Sequence, residues 1–388
     1  MNRSKVVTWG SVAIALVVGL ALALSRGGDE SARDGADATA ADLSVSSAGW
    51  RTDFSRHSVP LDEFLSGGPP RDGIPPIDQP RFAAAAEAGG EDDEPVIALQ
   101  LGGEARAYPI RILIWHEIVN DVVGGRPVAV TFCPLCNTSI VFDRRARGRT
   151  LRFGTTGNLR RSDLVMWDDA TESWWQQFGG EAIVGELTGE ELERIPSQLI
   201  SLGEFRERHP DGEVLTEETG YERPYGRNPY IGYDDVDSPP FLLGGAGPDG
   251  RLAPKERVVS VEHGAALVAV PLPVLERRPV VDVAVGDRPV TIWWTPGTVS
   301  VLDAERIVEG RDVGSAVVFD RRAGGRELRF ASEGGRVIDE QTGSTWGRDG
   351  IATAGPLAGA RLRPVVHDTP FWFAVAAFRP DARIIGRP

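Results

Sequence analysis

Apolar residues come in short bursts along most of this chain, separated by turn-forming glycines and prolines, which is the pattern of strands and not of long helices. Residues 128–132 (Val-Ala-Val-Thr-Phe) and 140–142 (Ile-Val-Phe) are β-branched and aromatic runs, and Gly148 marks a turn before the run 150–153. Residues 110–122 have apolar positions at helical spacing, but the segment that matches them later contains Pro271, Pro273 and Pro279. A long regular helix shared by both segments is therefore not expected. Segments 198–208 and 370–378 each run up to a Pro-Asp pair and are predicted to be short helices, one per unit. Residues 67–82 (GGPPRDGIPPIDQPRF) are too rich in proline for regular structure and predict an extended strap lying on the body.

The matching of early and late segments is systematic. Residues 96–132 align without a gap to residues 258–294, each position answering the one 162 further on. Pro109 answers Pro271, and Arg126-Pro127-Val128 answers Arg288-Pro289-Val290. Further on, VFDRRARGRTLRF (141–153) pairs with VFDRRAGGRELRF (318–330), and Thr171, Ser173 and Trp175 pair with Thr342, Ser344 and Trp346. Two copies indicate paired homologous domains, not a solenoid. The expected fold class is thus mainly β (α+β), with two tandem β-rich domains from an internal duplication, behind an N-terminal membrane anchor. The expected boundaries are an anchor at 1–26, a flexible acidic tether at 27–58 and a Pro-rich strap region at 59–95. A first repeat at 96–216, a Tyr-rich connector at 217–257 and a second, degenerate repeat at 258–388 follow. The connector holds Tyr221, Tyr225, Tyr230 and Tyr233, four of the five tyrosines, and such amphipathic rings suit an ordered connector or lid better than a loose linker.

The anchor is read from residues 6–24, which carry no charge, behind Arg3 and Lys5. A run of that length spans a bilayer core of about 20 residues, and positive charge ahead of it predicts export of everything that follows. The expected location is the cell membrane, single-pass, with the body extracytoplasmic. Secretion after cleavage near Ala21-Leu22-Ala23 is the alternative. With 46 Gly and 28 Pro the composition suits a turn-rich fold, and a net charge of −14 excludes nucleic acid as a partner. A small-molecule or protein partner is not specified by the sequence.

The candidate chemistry lies where the two copies differ. Cys133-Pro134-Leu135-Cys136 faces Thr295-Pro296-Gly297-Thr298, so the proline stays and both thiols vanish. His116 faces Arg278, Glu117 faces Pro279 and Asn120 faces Asp282. Residues 154–169 of the first copy are longer than their counterpart 331–340, an extra loop that contains Arg160, Asp163 and Met166. The second copy has about 15 additional residues near 299–313. Two thiols two residues apart suit three chemistries: a soft-metal site for Zn or Cu(I), a redox dithiol, or a structural disulfide. The metal reading leads, with Cys133, Cys136 and His116 as ligands, Met166 or Asp163 as a fourth, and Glu117, Asn120 and Arg160 around them. A thiol–disulfide oxidoreductase using Cys133 and Cys136, and a non-catalytic binding module stapled by a disulfide, are the alternatives. Asn137 after Cys136 excludes covalent c-type haem.

The stretches ARAYP, WHEIVND, TFCPLCNTSIVFDR, GNLRRSDLVMWDDATESWWQQFGGEAIVG and YGRNPY resemble a family of bacterial and archaeal exported proteins, domain of unknown function 3179. The resemblance covers residue 59 to the C-terminus. It implies a secreted or anchored protein and brings no activity with it.

Overall fold

The computed structural model describes residues 43–245 and 247–386. The expected anchor and the start of the tether lie outside the described residues; among the described ones no helix is long and apolar enough to cross a membrane. The fold is mainly β, with four short helices: α1 (Ile110–His116), α2 (Leu202–Arg208), α3 (Leu272–Arg277) and α4 (Trp372–Phe378). That is two helices per half where the sequence predicted one. Pro273 does not prevent α3, because it sits in the first turn, where a missing N–H breaks no intrahelical bond. Residues 198–201, expected to begin a helix, are the strand Gln198–Ser201, and Ser201 then caps α2 by accepting a hydrogen bond from Glu204 N.

The strand pairings of the two halves run in parallel. Pro95–Leu101 pairs with Glu104–Pro109, Val96 opposite Pro109, and Val258–His263 pairs with Ala266–Pro271, Val258 opposite Pro271. Ile118–Val123, Arg126–Cys133, Thr138–Asp143 and Arg194–Ile195 lie side by side in one sheet. Val280–Val285, Arg288–Thr295, Ser315–Asp320 and Arg363–Pro364 form a sheet of the same order. The central strands of these sheets are buried on both faces, which is why they read as nearly continuous apolar runs instead of alternating ones. The repeated Thr-x-Ser-x-Trp signature proves to be a corner. Asp168 accepts from Thr171 N at 2.7 Å and from Trp175 Nε1 at 2.9 Å, and Asp339 does the same with Thr342 N and Trp346 Nε1 at the same two distances.

Two departures from symmetry position the site. The expected extra loop 154–169 is instead a long hairpin, Phe153–Arg160 against Asp163–Asp168, turning at Arg161 and Ser162. Both turn residues have positive φ (54° and 65°), as a two-residue hairpin of the favoured twist requires. Near its middle the register slips at Gly157, where φ is +78° and an added Cβ would overlap the Pro69 carbonyl, so the strap can lie directly on the hairpin. The strap then crosses the first half as expected, with Ile77 N donating to Ile118 O and Asn120 N to Ile77 O. The second departure is at the turn after the central strand. Cys133 pairs with Thr138 and Thr295 with Ser315, so residues 134–137 of the first half correspond to 296–314 of the second. The additional residues of the second half thus grow from the place where the first half carries its thiols.

The tether is shorter than predicted. Within 43–58, Leu43 and Phe54 are buried, Ser58 N donates to Ile183 O, and Trp50 stands edge-on to Trp167 and Trp174 with ring centroids 5.8 and 5.2 Å away. The small and polar residues around them concealed these apolar anchors. Arg71 of the strap lies 3.6 Å from the Trp167 ring and 4.4 Å from that of Trp50, so tether and strap close over one aromatic cluster. Replacing Trp50 with Ala is expected to destabilise the body by about 2 kcal/mol, less than for a fully buried Trp. Thermal or denaturant unfolding of that variant checks this; an unchanged midpoint would return residues 43–58 to the tether.

Candidate functional site

The turn that joins Arg126–Cys133 to Thr138–Asp143 places both cysteines inside the protein, with Cys133 1% and Cys136 0% exposed. They are free thiols, and the Cys136 thiol donates to Ser162 O at 3.2 Å. The hairpin turn that supplies this carbonyl also delivers Asp163. One ligand atom from each of Cys133, Cys136 and Asp163 lies within 4.8 Å of the other two. Asp163 Oδ2 accepts from Gln176 Nε2 at 2.6 Å and from Phe178 N at 2.9 Å, whereas Oδ1 is buried without a hydrogen-bond partner. Ser162 Oγ is likewise buried and unpartnered. Natural proteins rarely leave such atoms unsatisfied, because each one costs about 1–3 kcal/mol.

Electrostatics follow from the lack of water. Burial raises the Asp163 carboxyl to about 6, against hydrogen bonds from Gln176 and Phe178 that favour its charge. Burial raises Cys133, opposed by its contact with Cys136, and raises Cys136 well above the usual thiol range, with Cys133 and Asp163 adding to it. Glu117 rises to about 8, from burial first and then from the neighbouring charge of Asp163. Its backbone carbonyl accepts from Phe132 N at 2.8 Å, which sets it beside the strand end that carries Cys133. It caps α1 with φ +58°, ψ −30°, an unfavourable conformation for a non-glycine residue. Among the described residues its side chain makes no hydrogen bond.

His116, the expected third ligand, is not among the converging groups. Its Nδ1 donates to Pro75 O at 2.7 Å and its Nε2 accepts from the Tyr225 hydroxyl at 2.6 Å, so both ring nitrogens are engaged. Burial lowers its pKa to about 4, against the Pro75 bond that favours the proton. The chain reversal does bring this segment level with Cys133, and the residue whose charge bears on that thiol is Glu117, one position on. Met166 is buried opposite Trp175 in the strand ladder. Three residues from Asp163 on a strand, it points to the other face. Asn120 is occupied elsewhere: its amide donates to Phe153 O at 2.8 Å and its oxygen accepts from Phe153 N at 2.9 Å, a task that Asp282 shares by accepting from Phe330 N. Arg160 acts at one remove, donating to Gln176 Oε1 at 3.2 Å and so holding the amide that binds Asp163. Gln176 and Gln177 were not anticipated, although the second half has Gly347 and Arg348 there and the comparison of copies could have found them. Gln177 ties the floor of the site together, donating to Thr131 Oγ1 at 2.8 Å and accepting from Thr138 Oγ1 at 2.7 Å.

The connector forms the roof. Tyr221 packs on His116 with centroids 5.5 Å apart, and Tyr230 and Tyr233 pack against the apolar cluster that contains both cysteines. Burial raises the Tyr230 phenol, with Glu117 and Cys133 adding to it. Burial also raises Tyr233, against a hydrogen bond from Phe241 N and with Cys136 adding. The second half holds this roof through its added loop. Asn228 N donates to Glu305 O at 2.9 Å and Gly232 N to Asp303 O at 2.8 Å. Asp234, fully buried, binds Arg257 Nη2 at 2.9 Å and Arg311 Nη2 at 2.8 Å. A wall comes from the same half, since Phe371 N donates to Cys136 O at 2.8 Å and Asn137 Nδ2 to Thr369 O at 2.7 Å.

These shifts give the metal-free protein an unusual pH response. Glu117 has a folded pKa of about 8, above its unfolded value of 4.5, so the folded state holds the proton more tightly and loses stability as pH rises between them. His116 acts in the opposite sense, but only between about 4 and 6.5, and Asp163 acts only up to about 6. Between pH 6.5 and 8 the Glu117 effect therefore stands alone among the groups with large shifts. Stability of the metal-free protein is expected to fall across that window, and Glu117→Gln is expected to flatten the fall. Melting curves at the two ends of the window check both.

No curated protein and no solved structure matches the chain. A family described as "Protein of unknown function (DUF3179)" matches residues 71–382, a span that takes in most of the strap, the thiol turn, the roof and the last helix. The chain belongs to that family.

Proposed function

We propose that this chain is a membrane-anchored, extracytoplasmic protein that binds one transition-metal ion through Cys133, Cys136 and Asp163. The observation that carries the reading is the Asp163 carboxylate, which has a buried, unpartnered Oδ1 and an oxygen within 4.8 Å of two buried thiols. Ligands round a tetrahedral zinc stand about 3.3–3.8 Å apart, so the three atoms need to contract by at most about 1.5 Å to hold one. A carboxylate beside two thiolates favours Zn(II) over Cu(I), which prefers sulfur and imidazole alone. A metal ion also resolves the unfavourable protonation states, since coordination deprotonates thiols that burial alone keeps neutral. The dithiol alternative is disfavoured by the same burial, because a redox nucleophile needs a lowered thiol pKa and some exposure.

In this reading the two halves descend from one duplicated unit. The first carries the ion, and the second has exchanged the thiol turn for a loop that holds the roof. Residues 6–24 tether the protein to the membrane from outside the cytoplasm.

Elemental analysis of protein purified under reducing conditions is expected to give about one zinc per chain, lost in Cys133→Ser. Asp163→Asn should weaken zinc by more than the roughly 10–100-fold that loss of a supporting residue costs, and His116→Ala should leave the content unchanged. Wild-type protein free of metal, or Asp163→Asn with wild-type affinity, would sink the assignment. For topology, a reporter fused after Arg26 is expected to be active only outside the cytoplasm, and cytoplasmic activity would remove the anchor from the proposal.

A further inference from the structure

Three protein donors do not complete a tetrahedral metal, and among the described residues no further His, Cys, Asp or Glu atom joins the three. His116 has both nitrogens engaged, and Met166 points to the other face of its strand. Structural zinc sites are closed by four protein ligands, whereas sites that keep one position for an outside molecule have three. What borders the missing position is polar and unsatisfied. Ser162 Oγ is buried without a partner, and the Glu117 carboxyl, 7% exposed, has no side-chain hydrogen bond among the described residues.

The backbone shows that Glu117 is held there at a cost. Its φ of +58° places a non-glycine residue in the left-handed region. Seven non-glycine residues in 43–216 adopt positive φ, and four of them, Glu117, Asn137, Arg161 and Ser162, adjoin the thiols or Asp163. No non-glycine residue in 258–386 does so. There Gly324 and Gly343 stand where the first half has Arg147 and Glu172, and Arg278 caps α3 at φ −137°. Conformational strain of this kind persists where a site over-determines the backbone. Glycine would relieve it at position 117, yet the residue there is a buried acid.

Resting on the metal reading above, we infer that the fourth coordination position is filled from outside the chain, by a small neutral ligand bearing an X–H bond, water in the resting state, whose hydrogen is accepted by Glu117. Two thiolates and a carboxylate around a divalent ion leave a net negative charge, which disfavours an anion and suits a neutral donor. Tyr230 and Tyr233 cover this position, so exchange of the ligand requires the roof to lift.

The test uses the full chain loaded with cobalt(II), whose thiolate charge-transfer bands report that the metal sits on the cysteines. Ammonia, a small neutral ligand with N–H bonds, is expected to shift the ligand-field bands with a saturable, one-to-one titration, and azide to do so more weakly. In Glu117→Gly, which suits the backbone, cobalt should still bind. The ammonia midpoint should weaken by about fivefold, as for a lost hydrogen bond, while azide should tighten. Glu117→Gln serves if the glycine variant does not fold. Opposite shifts separate a contact with the ligand from a general structural effect, which would move both probes together. Bands that neither probe moves would show a closed site and overturn the inference. Unchanged or parallel midpoints in both variants would overturn the part given to Glu117. Missing charge-transfer bands would instead remove the metal site itself, and this inference with it.

Discussion

A carboxyl group with one oxygen bare, set beside two thiols where water does not reach, is the constraint around which this molecule is arranged. Asp163 cannot be charged there cheaply, and its Oδ1 is buried without a hydrogen-bond partner. Everything adjacent serves to hold it in place: Gln176 and the Phe178 amide fix one oxygen, Arg160 fixes Gln176, and the two-residue turn fixes the strand. The roof seals what these contacts leave open, and the second half secures the roof. A protein that needed only a stable core could have put apolar residues at position 163 and at its polar partners. The polar arrangement is kept at a loss of stability, which is the usual mark of a functional centre.

The division of labour between the halves follows from one topological position. The turn between two central strands is four residues long in the first half and carries both cysteines. The corresponding turn of the second half extends to Gly314 and reaches back through Asp303 and Glu305 to the connector over those same cysteines. Asp234 shows how firmly this is done. Burial alone would raise its carboxyl, and the guanidinium of Arg257, the Ser300 hydroxyl and Arg311 together hold it lowered instead. A buried acid paired on this scale fixes one arrangement of the chain more than it adds net stability.

Much of this was legible in the residues themselves. The β-rich fold follows from short β-branched runs, and the strap follows from its prolines. The comparison of copies singled out Cys133 and Cys136, and the longer hairpin directed attention to Asp163. His116 was misjudged for a specific reason. Its absence from the second copy is real, but the change at that position serves the roof: the imidazole takes a hydrogen bond from a connector tyrosine that sequence distance made invisible. Glu117 differs between copies equally well, and only backbone conformation reveals that it turns inward. Residues 43–58 were hidden in another way, since a few apolar anchors such as Trp50 and Phe54 decide docking while small and polar residues dominate the composition around them.

The contact of Phe371 with the Cys136 carbonyl has a consequence in time. Residue 371 follows the thiol turn, the hairpin and the connector in the chain, so the wall that it completes is made after the roof. In a chain that emerges N-terminus first, the Cys136 carbonyl therefore waits for α4, and that side of the sulfur pair closes only when α4 docks.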